Sequence, residues 1–519
     1  MSSRKQMAAK NVLSAVLYYV ANSLIGFVNR KVFTVYLGSE VLGLNGLVVS
    51  VISMLSLMEL GIASSIGYSL YKPLQEGNDS EVKAIMQLFS RMYRYIGIGV
   101  GVIGAILVPF LPYIIKSELD QEYIVKVYII FLADAVLSYF MAYRRTLLVS
   151  AQKDYINKNA DTILYIVTGV LQIGIICIWQ NYLASLLIKL AFTVINNLYL
   201  YLKVGKMFPY LSDRNVQGKV SEDVKKKLVE NVKALFVIKV ASYCVFGTDN
   251  ILLSMFADLS AVAIYSGYTL ILGIVNNIFN RSFGYITANI GNYLVSKNND
   301  EIYDLYKKLF FMNYLITSYT SIAMLTVFNE FIGGIWLEEA YTFPITVVAI
   351  LVFNNYSRYI TQCTEAFRSA AGLYSPRPYV KYFALLEGII NLVVSVGLAK
   401  GCGLGIYGIF LGTSVSTLVS TIGVPWIIYR FLLKRPLREY FSVYMKYLGL
   451  TIMGAIISLM IFSILQTKFA IVNFVMGGIV SLLVLMGINY LVFRKSSEWQ
   501  YCLGLGTEVV HKVTKKLKK

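Results

Sequence analysis

Fourteen apolar runs follow one another between residues 11 and 493, each at least as long as the ~20 residues an α-helix needs to cross a bilayer. They occupy residues 11–37, 41–70, 88–115, 122–149, 157–179, 182–204, 230–256, 261–290, 305–328, 342–370, 379–400, 405–433, 444–465 and 471–493. None has the two-residue alternation of a barrel strand. The pattern therefore predicts an all-α integral membrane protein with about 14 transmembrane helices, the longest of them tilted or protruding. Only 14% of the residues are charged and 57% are hydrophobic, whereas soluble domains carry about 25% charged residues.

The net charge of +19 does not describe a nucleic-acid-binding domain. The cations lie in short segments between apolar runs, without a basic face interleaved with aromatics. Loops such as YKPLQEGNDSEVK, AQKDYINKN, SKNNDEIYDLYKK and LKRPLRE are polar and basic, and the tail ends KKLKK. The opposite loops (GSE, WQN, ADLS, QTKFA) are short and weakly charged. The positive-inside rule places both termini in the cytoplasm, in keeping with an even number of spans. MSSRKQMAAKN resembles the start of a signal peptide, but the run behind it is too long and no A-x-A site follows, so it reads as an uncleaved first span.

The longest charged loop, 205–229, is the natural linker between an N-lobe of helices 1–6 (1–204) and a C-lobe of helices 7–12 (230–433). Helices 13–14 (434–495) are an appended pair, followed by a basic cytoplasmic tail (496–519). In the tail, Leu503, Val509, Val510, Val513 and Leu517 suit an interfacial amphipathic segment; a disordered basic tail is the alternative. The lobes align weakly: Asn11-Val12 falls opposite Asn231-Val232, and Asn29-Arg30 opposite Asp249-Asn250. That register would make them a parallel repeat; chance alignment of two apolar helices is the other reading.

Five scattered cysteines form no CxxC pair, so neither a metal site nor a disulfide framework is indicated. The single histidine, His511, lies in the tail. No GxxxxGK[ST] sequence occurs, which argues against ATP hydrolysis by this chain. No cofactor is indicated. An integral-membrane polymerase or ligase would need a large external loop bearing catalytic residues, and every external loop is short. A non-enzymatic role is expected.

The informative residues are those that do not belong in lipid. Arg30, Lys31, Lys189, Lys239, Arg281 and Arg358 lie within proposed helices. Arg30 and Lys189 sit about 10 Å from the outer ends of their helices, and Lys239 and Arg281 about 12 Å from the cytoplasmic ends. A central cation costs about 2.5–3.5 kcal/mol on an insertion scale and usually faces a bundle interior. Snorkelling to an interface, or pairing with Asp134, Asp249 or Glu387, would lower that cost. These three deep acids are fewer than the cations, and a positive surplus in a low-dielectric hollow suits an anion, above all a phosphate. Forty tyrosines suit interfacial belts. Tyr265, Tyr268, Tyr356 and Tyr359 lie near the cations in sequence, where a phenol can pack on a sugar ring.

The second run reads GLNGLVVSVISMLSLMELGIASSIGYSLYKPL (43–74). It resembles the second-helix signature of Wzx-type polysaccharide flippases, which belong to the MOP superfamily with MATE exporters and MurJ-type lipid II flippases. YRRTLLVSAQKDYI (143–156), TDNILLSMF (248–256) and YSGYTLI (265–271) extend the resemblance along nearly the whole chain. One departure is Ser266-Gly267-Tyr268, where relatives more often read Ser-Asn-Tyr. The resemblance implies two pseudo-symmetric six-helix lobes around a central cavity, plus two C-terminal helices that would groove a lipid tail. The cargo it implies is an oligosaccharide repeat unit on undecaprenyl pyrophosphate, crossing by alternating access for capsule, exopolysaccharide or O-antigen synthesis. Substrate-binding candidates are Arg30, Arg281 and Arg358 for the pyrophosphate, with Lys239 and Lys189 adding attraction. Asn29, Asn45, Asn250, Asn276 and Tyr268 are candidates for the sugars. Arg144, Arg145 and Lys153 would form a cytoplasmic entrance, and Asp134, Asp249 or Glu387 would carry a coupling H+ or Na+. Gly26, Gly43, Gly61 and Gly273 would allow close helix contact. Expected partners are the lipid-linked substrate, membrane lipids, a polysaccharide polymerase and a chain-length regulator. A lipid II flippase shares this chemistry, whereas a MATE-like exporter of cationic drugs would show an acidic surplus.

Overall fold

The computed structural model describes residues 4–59, 62–213, 243–245, 247–373 and 379–517, with the single positions 216, 220, 230 and 240. Among these residues the secondary structure is helical, with no strand. Among the described residues twelve helices are long and apolar enough to cross a membrane, and they coincide with twelve of the fourteen expected runs. Of the other two, the run at 230–256 falls largely outside the described residues, Lys239 and most of the 205–229 linker with it. The run at 342–370 is present but broken.

The chain forms two compact units, Met1–Ser266 and Gly267–Lys519. The first begins with α1 (Arg4–Tyr36), α2 (Gly38–Leu55), α3 (Ile62–Glu76), α4 (Asp79–Leu107) and α5 (Gln121–Ala142). It continues with α6 (Arg145–Ser150), α7 (Tyr155–Trp179), α8 (Tyr182–Met207), α9 (Asp249–Phe256) and the opening turns of α10 (Leu259–Ser296). The second unit holds the rest of α10, then α11 (Asn299–Asn329), α12 (Ile345–Ile360), α13 (Gln362–Ala370) and α14 (Tyr379–Val396). It ends with α15 (Gly405–Ile428), α16 (Leu437–Leu465), α17 (Ala470–Phe493) and α18 (Ser497–Leu517).

Helix starts follow local chemistry. Asn78 Oδ1 accepts from the Glu81 amide at 3.1 Å and Asn181 Oδ1 from the Ala184 amide at 3.0 Å. Asn298 and Glu301 form a reciprocal capping box at the start of α11. Two expected continuous helices are interrupted where a hydroxyl bonds back to the preceding turn. Ser56 Oγ donates to Ile52 O at 2.9 Å, and the 41–70 run passes through a 3₁₀ turn at Ser56–Glu59. Thr361 Oγ1 donates to Arg358 O at 2.9 Å, splitting α12 from α13. The second break is bridged by Asn313 of α11, whose Nδ2 donates to Tyr359 O at 3.0 Å and Ile360 O at 2.8 Å.

In the first unit α1 packs along α7, while α8 packs on both α5 and α7. Gly43 on α2 lies against the start of α10: a Cβ there would stand 1.9 Å from Leu259 O. Gly273, by contrast, has open space around it, and Gly61 is outside the described residues. The second unit centres on α11, packed against α12, α16, α17 and α18. Its core is aromatic, with Tyr314 and Tyr447 stacked at 4.0 Å and Phe279 and Tyr359 at 4.3 Å. Tyr306, Tyr356 and Tyr440 are buried there too. A good part of the tyrosine content is thus core. The tail begins as ordered helix, and Trp499 of α18 is buried in the same core against Phe311. Leu503 is exposed, and the side chains of Val509, Val510, Val513 and Leu517 lie outside the described residues.

Candidate functional site: a charge-bearing cavity in the first unit

Within the first unit, α1, α5, α7 and α8 border a cavity of about 440 Å³, lined by Asn29, Asp134, Arg145, Asp161 and Lys189 among others. Four of these are sequence candidates, contributed by three spans and by the short α6. Arg145 is ion-paired with Asp161, and Asp161 also accepts from Asn196 Nδ2 at 3.2 Å. Lys189 Nζ lies 3.9 Å from Asp134 Oδ2 and 4.6 Å from the centre of the Phe131 ring. Two cations thus face two acids, and the charge of Lys189 is offset by Asp134 rather than left as surplus. Asn29 Oδ1, Asp134 Oδ1 and Thr168 Oγ1 are buried without a hydrogen-bond partner on the same cavity. Buried polar atoms seldom remain unpaired. Such an oxygen-lined hollow can accept hydrogen bonds from hydroxyl groups or take a small hard cation.

The remaining candidates are distributed as follows. In the first unit, Arg30 donates through Nη1 to Ser266 Oγ. Asn45 Oδ1 accepts from Tyr182 OH at 3.0 Å. Asn250 Nδ2 donates to Ser50 Oγ at 2.9 Å. Asp249 is buried, and its Oδ2 accepts from Tyr265 OH at 2.6 Å. Arg144 is not beside Arg145's cavity: its Nη1 donates to Tyr201 O at 2.9 Å and its guanidinium covers the Tyr201 ring at 3.6 Å. Lys153 Nζ lies 5.3 Å from the Phe208 ring centre. In the second unit, Glu387 accepts from Ser420 Oγ at 3.2 Å and lies within electrostatic reach of Arg358. Arg281 is exposed on α10, and Asn276 Oδ1 accepts from Asn280 Nδ2 at 3.3 Å. Tyr268 faces no open space: it is fully buried, with its hydroxyl donating to Asn329 Oδ1 at 2.5 Å and accepting from the Phe343 amide at 2.9 Å. It serves packing within the second unit.

Sequence reasoning missed Asp161, an acid five residues into its apolar run and the partner of Arg145. The Lys189–Asp134 pair is testable. Lys189→Met and Asp134→Asn should each lower the unfolding midpoint in detergent, and a double-mutant cycle should return a coupling of about 1 kcal/mol. Strict additivity would deny the pair.

A bundle of this kind, with ionic side chains placed between apolar spans, is that of a multi-pass membrane protein. The structure is similar to an inward-closed lipid II flippase MurJ, at 13% identity and TM-score 0.61, over 93% of this chain and 99% of that one. It is also similar to an inward-facing multidrug resistance MATE family transporter of the MOP superfamily, at 14% identity and TM-score 0.60, over 80% and 94%. A Vibrio cholerae MATE transporter matches at 16% identity and TM-score 0.53, over 83% and 98%. At such identities the likeness is one of fold. No curated protein matches the sequence. The model of the polysaccharide biosynthesis protein family matches residues 8–286, more than half of the chain, and the protein belongs to that family.

Proposed function

We propose that this protein is a flippase for undecaprenyl-pyrophosphate-linked oligosaccharide repeat units. It moves them from the inner to the outer leaflet of a bacterial cell membrane, both termini in the cytoplasm, for capsule, exopolysaccharide or O-antigen synthesis. The observation that carries this reading is membership of the polysaccharide biosynthesis family on a chain whose spans hold Arg30 and Arg281, with Arg358 in α12. Cations at that depth are costly unless they serve an anionic guest or a buried pair. A diphosphate is such a guest, gripped by guanidinium forks. Arg30, Arg281 and Arg358 are its ligands in this proposal, the asparagines bond sugar hydroxyls, and Asp134, Asp249 or Glu387 carry the coupling ion. A polymerase and a chain-length regulator act downstream.

The test is polymer export in a strain that depends on this chain. Arg281→Ala and Arg358→Ala should each reduce surface polymer at least about tenfold, at unchanged protein level in the membrane, since a charged hydrogen bond contributes about 1.5–3 kcal/mol. Unchanged export by both variants would remove these residues from the site. The resemblance in fold to the MurJ structure supports one rival, a lipid II flippase. Rescue of a conditional strain lacking its lipid II flippase would favour that rival.

A further inference from the structure

The first unit has a second cavity, of about 450 Å³, at the polar end of α4. It is lined by Lys83, Arg91 and Arg94 from that helix, by Arg144 from the turn between α5 and α6, and by no carboxylate among the described residues. Positions 83, 87, 91 and 94 follow helical spacing, so α4 presents one cationic stripe. None of the four cations is in an ion pair among the described residues. Two acids of this unit, Glu59 and Glu81, are engaged elsewhere, while Asp213 meets Lys83 through its backbone carbonyl. Glu59 accepts from Tyr93 OH, and Glu81 from Asn78 Nδ2 at 3.1 Å.

Two of the cations are held in place rather than waving in solvent. Lys83 is only 7% exposed and spends one of its ammonium protons on Asp213 O, leaving others for a guest. Arg144 is clamped by Tyr201 from below and by Tyr143 OH at 3.4 Å. Gly205 makes room for it, since a Cβ there would stand 2.9 Å from Nη1. Arg91 and Arg94 are exposed at the mouth. A fixed pair at the base with two exposed guanidinium groups at the rim can receive a tetrahedral anion. Its depth fits a headgroup: residues 96–115 of the same span are almost wholly apolar, so Arg94 sits at the edge of the hydrocarbon and Lys83 farther out.

We infer that Lys83, Arg91, Arg94 and Arg144 form a phosphate-binding site in the first unit, separate from the deep cations to which the proposed function assigns the cargo. The phosphate is that of a lipid headgroup at the membrane surface or of a soluble phosphate ester reaching it from the aqueous side. Of the entrance trio read from the sequence, Arg144 alone belongs to it.

The experiment uses the full chain in neutral phosphatidylcholine nanodiscs, with phosphatidylglycerol, phosphatidic acid or soluble inorganic pyrophosphate added in separate arms. Bound lipid is counted by native mass spectrometry, and the thermal midpoint reports the soluble arm. Wild type should retain an anionic lipid, or be stabilised by pyrophosphate, and Arg91→Gln/Arg94→Gln should weaken that effect about tenfold or more. These two rim residues carry no packing role, so the variant should keep the wild-type midpoint in neutral lipid. Lys83→Gln is the second variant, read the same way. A response in the lipid arms identifies a headgroup, and a response to pyrophosphate alone identifies a soluble ester. Equal retention and equal stabilisation for wild type and both variants would overturn the site. The export test on Arg281 and Arg358 stands apart: weakened binding in Arg91→Gln/Arg94→Gln, with the Arg281→Ala and Arg358→Ala variants still exporting, would sink the cargo assignment and support this site.

Discussion

Gly43→Ala should lower the stability of the folded chain by about 3 kcal/mol, at the upper end for overpacked sites. The reason is the identity of what the new methyl group would meet. It would stand 1.9 Å from Leu259 O and 2.6 Å from the carbonyl carbon, and a backbone carbonyl cannot rotate away as a long side chain can. Either α2 retreats from the start of α10 or the turn before α10 is rebuilt, and both lose packing around the buried Leu42, Leu44 and Val262. The measurement is the unfolding midpoint in detergent, with Gly273→Ala alongside. That second position has nothing within 4 Å, and an alanine in mid-helix is favoured over glycine by about 0.5–1 kcal/mol. The two variants should therefore move in opposite directions. Equal behaviour would mean that the contact between α2 and α10 is looser than described.

Asn313→Leu is the second large effect. Asn313 is wholly buried, and its amide reaches both Tyr359 O and Ile360 O where α12 gives way to α13. Leucine keeps the branching and the number of side-chain heavy atoms but removes the amide that donates both bonds. Loss of two buried hydrogen bonds should cost about 3 kcal/mol, read as a lower midpoint or a smaller monodisperse fraction on size exclusion. A wild-type midpoint would show that the break closes without help from α11.

Both sites illustrate what was legible in the sequence and what was not. The spans were legible because bilayer thickness imposes a length on any helix that crosses it, and the runs from 88–115 and 471–493 needed no other information. The interruptions after Ser56 and Thr361 were not. A hydroxyl inside an apolar run reads the same whether it bonds back to its own helix or to a neighbour, and the partner that tolerates the second break, Asn313, lies on another helix. Charge was half legible. An isolated Lys189 or Asp134 stands out in an apolar run, but their pairing depends on how α5 meets α8. The cluster around Arg91 was hidden differently, because cations near a helix end look like topology signals until Arg144 is brought to them by the turn after α5. Tyrosine content pointed toward the interfaces, yet Tyr306, Tyr314 and Tyr359 are buried in the second unit.

The placement of Trp499 has a practical consequence for mapping which side of the bilayer each loop occupies. Reporter fusions are commonly joined wherever a hydrophobic stretch ends, and here that would be just after Phe493. A junction there would delete the indole that rests on Phe311 and strip α18 from the bundle, so the signal would report damage to the second unit along with sidedness. Joining the reporter beyond Leu517 keeps that indole in place.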